Sequence, residues 1–315
     1  MSTAAAGRVN APMRGVICML VSVLILTLSD TLTKWLTAGY PPGQLICLRS
    51  LAALLLVFAW TASRGRSIEL RVHNPGAHLV RGLFACAGSF MFVIGIGYMP
   101  LANAMSIGFA GPLLVTALAG PLLGEQVGWR RWSAVVVGFG GVLVILRPGA
   151  EGFHWAAAVL LLGVCLGTAR DIVTRRISAT ENSSALLATT SGCMVVLGLT
   201  SVVQGWNMPG LRDSAMITLS GLLIGCGHYL QIEAFRQAEA AMVVPFRYTA
   251  LLWATLFGWL VFGDLPTAAT LIGASLVIAC GLFILYRERK VSSSRPLPVR
   301  PLVKIPGYRE DRTLN

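Results

Sequence analysis

The sequence predicts an all-α membrane protein: ten transmembrane helices in two inverted repeats of five, with both termini cytoplasmic. Three observations predict it. Of 315 residues, 55% are hydrophobic and only 12% are charged, against roughly 25% charged in an ordinary soluble domain. The apolar residues come in continuous blocks, each close to the roughly 20 residues of helix that cross about 30 Å of hydrocarbon. The second half of the chain also repeats the first.

The blocks fall at 14–37, 43–62, 76–98, 101–122, 131–147, 155–174, 184–205, 214–236, 240–262 and 267–287. Their continuity excludes a membrane barrel, whose strands would read as short alternating segments. They leave almost no chain for an extramembrane domain, which excludes an ordinary soluble enzyme. The expected organisation is a tail at 1–13, a first repeat at 14–148, a second at 149–287 and a basic tail at 288–315. That last tail is rich in Pro, Ser and Arg and is expected to be disordered, resting on anionic lipid.

The first block is longer than a signal-peptide core, no small-residue cleavage site follows it, and Asp30 to Ala38 is too polar for that role. Arg49 lies a third of the way into the second block, and Arg81 opens the third. The fourth carries Asn103 and Ser106. Gly138, Gly140 and Gly141 in the fifth, with Gly273 and Gly281 in the tenth, are expected to let helices approach closely. Gly138-x-Gly140 is not a dinucleotide fingerprint, because no strand precedes it. The sixth block carries Asp171, with Arg175 just beyond it. The eighth carries His228, Tyr229, Gln231 and Glu233, and the ninth Arg247 and Tyr248. Trp60, Trp129, Trp132, Trp155, Trp206 and Trp259 fall near block ends, as interfacial anchors do.

The net charge of +12 does not mark a nucleic-acid reader, since such charge should gather on one folded face. Here it sorts by side of the membrane. Arg8, Arg14, Arg64, Arg66, Arg71, Arg130, Arg131, Arg175, Arg176, Arg236 and the tail residues from Arg287 onward share one side. Lys34, Arg147 and Arg212 take the other. Positive residues mark the cytoplasmic face, so both termini are expected there, which agrees with an even number of spans. The seven cysteines all lie within blocks and form no CxxC, so neither a disulfide nor a metal site is expected.

A shift of 139 residues places Gly82 on Gly221, Gly88 on Gly227, Ala102 on Ala241 and Gly124-Glu125 on Gly263-Asp264. A shift of 141 places Asp30 on Asp171, Thr33 on Thr174 and Lys34 on Arg175. A unit of five spans is odd, so its two copies must lie upside down relative to each other. Inverted repeats of this kind are characteristic of secondary transporters.

On these residues the chain resembles the EamA-type carriers of the drug/metabolite transporter superfamily. The resemblance covers about residues 14–288. It rests on Ser29-Asp30-x3-Lys34-Trp35, Arg81-Gly82, Pro112, Leu123-Gly124-Glu125-x6-Trp132, Gly138-x-Gly140-Gly141 and Arg147-Pro148. Gly263-Asp264 is a weaker second copy, with Asp where the family has Glu and Leu251 where Pro112 has its mate. The pattern looks most like the branch holding bacterial S-adenosylmethionine and riboflavin uptake carriers. It implies a multi-pass protein of the bacterial inner membrane that is not an enzyme and needs no cofactor.

Ionisable residues inside a span cost roughly 2.5–3.5 kcal/mol each at mid-depth and so invite a functional reading. Asp30 and Lys34 are spaced i,i+4 and can pair, as can Asp171 and Arg175. The repeat would then put one acid–base pair at each mouth, as gates, where the bland alternative is snorkelling to headgroups. Arg49 is expected to find Asp30. His228 and Arg247 are expected near the midplane, with Glu233 as a stretched partner for Arg247. The first-half mates of His228 and Arg247, Ser89 and Gly108, carry no charge, so the packing template does not require it. Arg247, His228, Gln231, Tyr248, Asn103 and Ser106 are therefore the expected substrate contacts, with Tyr248 stacking on a flat ring. Asp30, Lys34, Asp171, Arg175, Glu233 and Arg49 are the expected gate or coupling groups.

No phosphate-binding loop, HExxH, GxSxG or paired-carboxylate arrangement is present, so nothing couples to ATP. The expected function is secondary transport of a small organic metabolite, by two five-helix halves rocking about a central site. Uptake of a cofactor-like heterocycle leads. Export of amino-acid-like metabolites or metallophores is the near alternative, and a membrane enzyme on a lipid-linked substrate the distant one. The expected partners are a small-molecule substrate and membrane lipid, with a homodimer left open and no nucleic acid.

Overall fold

The computed structural model describes residues 3–63, 74–123, 128–146, 155–177, 183–238 and 240–293. Among these residues every regular element is helical. The order is α1 (Thr3–Leu36), α2 (Pro42–Ser63), α3 (Pro75–Tyr98), α4 (Leu101–Gly108 and Ala110–Leu123), α5 (Trp129–Leu146) and α6 (Trp155–Ile177). Then come α7 (Ser183–Leu199, continued by the 3-10 turn Thr200–Gln204), α8 (Leu211–Gln237), α9 and α10 (Ala268–Ser293). Helix α9 is built from four pieces: Ala240–Val243, a 3-10 segment Val244–Thr249, Ala250–Phe257 and a π turn Gly258–Phe262. Among the described residues nine helices are long and apolar enough to cross a membrane, and a tenth apolar helix, Ala188–Val203, is shorter.

Local chemistry sets several boundaries. Helix α3 starts where the Asn74 side chain accepts the Ala77 N–H at 3.0 Å and Pro75 occupies the first helical position. Helix α4, expected to be continuous, breaks at Phe109. Pro112 has no N–H to offer the Gly108 carbonyl, and the Phe109 N–H is shared between the carbonyls of Met105 and Ser106, both at 3.3 Å. Helix α9, also expected to be continuous, is interrupted by Pro245. Its π turn ends on Gly263, whose φ of +71° suits glycine. Hydropathy registers apolar continuity and is blind to both breaks. Helix α1 begins at Thr3, inside the expected tail 1–13, and α10 runs past 287 to Ser293. The rest of the basic tail lies outside the described residues.

The inversion can be read from contacts between repeat mates. A Cβ on Gly138 would lie 3.3 Å from Cys280, and one on Gly141 would lie 3.1 Å from Val277. As the numbers fall along α5 they rise along α10, so these helices are antiparallel. Each is the fifth of its repeat, so the repeats are inverted. The 139-residue shift also exchanges the two contacts with each other, which is the signature of a local two-fold axis. A second pair of seams obeys the same rule. A Cβ on Gly88 of α3 would lie 3.5 Å from Leu166 of α6, and one on its mate, Gly227 of α8, would lie 3.6 Å from Ile25 of α1, the mate of Leu166.

These seams correct one expectation. The two five-helix copies are not separate bodies. Helix α1 packs along α8, α3 along α6, α2 along α7 and α5 along α10, so each repeat closes on the other. Ser22 donates to the Gly227 carbonyl at 2.8 Å and Ser29 to the Ser220 carbonyl at 2.9 Å, stitching α1 to α8. Helix α1 packs with α8 and α9, and its mate α6 packs in the same way with α3 and α4.

Small residues make the seams possible. A Cβ on Gly141 would sit 2.8 Å from the Gly273 carbonyl oxygen, whereas one on Gly140 would meet nothing within 4 Å. Gly141→Leu should therefore lower the melting temperature in detergent, by overpacking worth about 1–3 kcal/mol. Gly140→Leu should leave it unchanged. Equal melting of the two variants would contradict the seam.

Candidate functional site

The two ends of the helix interface differ: one is bridged by an ion pair and the other holds a polar cavity. The bridged end is the one away from the N-terminus. There Lys34 of α1 donates to Asp264 Oδ2 at 3.1 Å and to the Met99 carbonyl at 2.8 Å, and its ammonium lies 4.5 Å from the Phe262 ring centroid. The π turn and the left-handed Gly263 carry Asp264 into reach. A second latch joins the loop after α1 to the segment before α8. Tyr40 donates to Asp213 at 2.7 Å, Gln44 exchanges two hydrogen bonds with the Asn207 backbone, and the Asn207 side chain donates to the Gly39 carbonyl at 2.8 Å.

The i,i+4 pairing of Lys34 with Asp30 is thus replaced by a bond across the repeats. The amine extends toward the end of the bundle, while Asp30, one turn deeper, faces Arg49 and feels its charge. Among the described residues Asp30 makes no hydrogen bond. Arg49 is buried and donates instead to the Thr33 hydroxyl at 3.2 Å.

Toward the terminus-bearing end lies a cavity of about 320 Å³, near the lower end of the range for small-molecule sites. Arg131, Arg170, Asp171, Arg247, Gly108 and Gly281 contribute to its wall. Arg247 sits on the 3-10 segment of α9, and its first-half mate Gly108 lines the same cavity. Arg247 and His228 lie within the apolar spans Val244–Phe262 and Leu211–Phe235 yet retain exposed surface, as cavity-facing groups do. The charges of Arg49, Arg170 and Arg247 converge on His228 from α2, α6 and α9. Three guanidinium groups against the carboxylates of Asp30 and Asp171 leave the chamber net positive. That field suits an anionic or acceptor-rich guest.

Two arginines occupy mirrored junctions. Arg49 bonds Thr33, whose hydroxyl lies 3.1 Å from Ser220. Arg81 bonds Thr174, the mate of Thr33, at 2.8 Å, and also Thr190, the mate of Arg49, and the Leu186 carbonyl at 2.9 Å. Ser220 is the mate of Arg81. Each junction therefore contains one guanidinium and hydroxyl partners, with the arginine supplied by α2 in one and by α3 in the other. Arg81, which opens α3, is a clamp on α6 and α7.

The remaining expected residues fall as follows. Asp171 accepts from its neighbour Arg170 at 2.7 Å; its expected pairing with Arg175 lies outside the described residues. Glu233 accepts from Gln237 at 2.5 Å instead of reaching Arg247. His228 Nδ1 and Gln231 Oε1 are 3.5 Å apart on one face of α8. Asn103 accepts from Thr270 at 2.9 Å, tying α4 to α10. Ser106 is fully buried, its hydroxyl turned back to the Ala102 carbonyl at 2.7 Å. Tyr248 is buried, edge-on to Phe109 with ring centroids 5.0 Å apart. Among the described residues no group of His, Cys, Asp and Glu is placed to hold a metal. Sequence reasoning missed Asp264 as a gate partner, although the repeat had already aligned it with Glu125.

A family model described as the EamA-like transporter family matches residues 13–147 and 154–287, the two repeats in turn. The chain belongs to the EamA-like transporter family. It is therefore a multi-pass transporter of the inner membrane and not an enzyme. This EamA protein is 29% identical to a riboflavin transporter of Rhizobium johnstonii, over 88% of this chain and 92% of that one. It is 25% identical to an S-adenosylmethionine uptake transporter of Rickettsia bellii, over 89% and 96%. It is 24% identical to a pseudopaline exporter of Pseudomonas aeruginosa, over 84% and 94%. A solved crystal structure at 18% identity shares the fold with a TM-score of 0.62, covering 88% of this chain and 98% of that one.

Two tests follow from the bridged end. Lys34→Glu sets two carboxylates against each other, so the melting temperature should fall by about 2–4 °C for each kcal/mol lost. Adding Asp264→Lys should recover most of that loss, and a swap no better than the single change would show that the bridge is incidental. Tyr40 has its pKa raised above the ordinary 10.0, first by its hydrogen bond to Asp213. A raised tyrosine pKa stabilises the fold fully below the unfolded value and ceases to do so as pH climbs through the folded one. The melting difference between wild type and Tyr40→Phe should hence hold at neutral pH, begin to fade near pH 10 and disappear only above the raised folded value.

Proposed function

We propose that this EamA protein is a secondary carrier that takes up a cofactor-like heterocycle of the riboflavin or S-adenosylmethionine type across the bacterial inner membrane. The observation that carries this reading is Arg247. It is a guanidinium within an apolar, interrupted helix, lining a cavity that α4, α6 and α10 also line, and its repeat mate is a glycine. Interrupted helices at the repeat interface are where transporters of this architecture bind their substrates. The relatives named for riboflavin and S-adenosylmethionine uptake support the substrate class, and the net positive chamber supports a guest rich in acceptors.

In this reading the termini are cytoplasmic and the captured state faces inward. The Lys34–Asp264 bridge and the Tyr40–Asp213 latch close the periplasmic mouth. Arg247 anchors acceptor groups of the substrate, with His228 and Gln231 presenting a second edge and Asp171 guarding the cytoplasmic mouth. Arg175 and Glu233 would serve that mouth when it closes. Asn103 and Ser106 act from the second layer, holding α4 in place. Alternation moves α1, α8 and α9 against α6, α3 and α4. One copy of the chain completes the chamber, so a dimer would add lipid-facing packing rather than site residues. Export of an amino-acid-derived metallophore is the second reading, supported by the relationship to the pseudopaline exporter.

Proteoliposomes should accumulate labelled riboflavin or S-adenosylmethionine. Arg247→Ala should weaken that transport by roughly 10- to 100-fold, the cost of losing a hydrogen bond from a charged donor. Absence of uptake for both compounds, with no thermal shift from either, would overturn the substrate assignment.

A further inference from the structure

We propose that Tyr248 reads the substrate through its hydroxyl rather than its ring face, and that Gly281 is the socket that holds this hydroxyl until the substrate arrives. The proposal rests on the cavity beside Arg247 being the substrate site. It names the feature recognised there: a hydrogen-bonding atom, such as a ring nitrogen or carbonyl oxygen, on the edge of a flat heterocycle.

Four observations meet at this pair. The Tyr248 hydroxyl is buried without a hydrogen-bond partner among the described residues. Only 8% of the residue is exposed. An orphan of this kind destabilises a fold, so proteins rarely keep one without a use. The hydroxyl lies directly against Gly281, so that a Cβ at 281 would collide with it. Gly281 is itself part of the wall of the cavity that Arg247 lines, so the hydroxyl stands one glycine away from the substrate space.

The repeat shows that packing does not require this arrangement. The mate of Tyr248 is Phe109, and the mate of Gly281 is Val142, which is 1% exposed. The first half fills the same two positions with apolar side chains. The second half adds an oxygen and removes the side chain that would obstruct it. The ring faces are already committed to the fold, because Phe109 meets Tyr248 edge-on with the planes 81° apart. Stacking on a substrate ring would break that contact between repeat mates, whereas the hydroxyl can be turned out without breaking any bond. Its backbone is suited to a small turn. The segment Val244–Thr249 is 3-10 helix begun at Pro245, with poorer hydrogen-bond geometry than an α-helix. Arg247 and Tyr248 are adjacent on it, so one adjustment brings both donors to the guest.

A mutant cycle tests this in purified full-length protein, by melting alone and with riboflavin or S-adenosylmethionine. Tyr248→Phe should melt no lower than wild type, since it removes an unpartnered oxygen, yet bind the responsive compound at least about fivefold more weakly. Gly281→Ala should lower the melting temperature, and Tyr248→Phe with Gly281→Ala should recover it without recovering the ligand response. Tyr248→Phe that binds as tightly as wild type overturns the proposal. So does Tyr248→Phe that melts clearly lower, because the hydroxyl would then hold a structural bond. If wild type responds to neither compound, the substrate class fails, and the melting cycle alone decides whether Gly281 is a socket for an idle hydroxyl.

Discussion

Close backbone approach along antiparallel seams is the constraint on which the molecule depends. In lipid there is no hydrophobic gain from bringing two apolar helices together, so association relies on contact, interhelical hydrogen bonds and small residues. Gly141 on Gly273, Gly88 on α6 and Gly227 on α1 supply the contact, and Ser22 and Ser29 supply the bonds. Every one of these seams joins one repeat to the other. The polar chamber is what the seams leave between them, and its size and charge follow from which positions are glycine and which are arginine.

The repeats share a frame but differ in chemistry at chosen points. Phe109 and Tyr248 touch each other as mates, which places the local axis between them. Around that axis the charged groups are unequal. Gly108 faces Arg247, and Arg49 and Arg81 take different corners of equivalent junctions. A symmetric scaffold permits two equivalent shapes, one open at each mouth. The bridge at Lys34 and the latch at Tyr40 tie helices together at one end of the bundle, while the cavity near Asp171 lies toward the other.

The frame was legible in the sequence for physical reasons. Span number and the repeat rest on apolar runs and on the fixed rise of a helix, which lipid enforces strictly. Partner choice was not legible. The i,i+4 rule correctly offered Asp30 to Lys34, but a flexible amine near a helix end can choose among several acceptors, and Asp264 arrives only through a π turn. The broken helices α4 and α9 read as continuous because Pro112 and Pro245 interrupt hydrogen bonding without interrupting hydropathy. Asn103 and Ser106 were placed on the right helix, but their rotation toward α10 and toward their own backbone depends on packing that spacing does not encode. Gly281 read as one more packing glycine, since its meaning lies in a tyrosine 33 positions earlier.

The interleaving of the repeats also sets a timetable for assembly. Ser29 meets Ser220 across 191 residues of chain. At synthesis rates of about 5–20 residues per second, α1 stands in the bilayer for roughly 10–40 s before its companion has been made. During that wait its hydroxyls can be satisfied locally, as Thr27, Thr31 and Thr33 are by the carbonyls of Val23, Thr27 and Ser29, one turn back. The nascent α1 is thereby kept compatible with lipid while half-finished, and the carrier forms only when the ribosome has delivered the second copy.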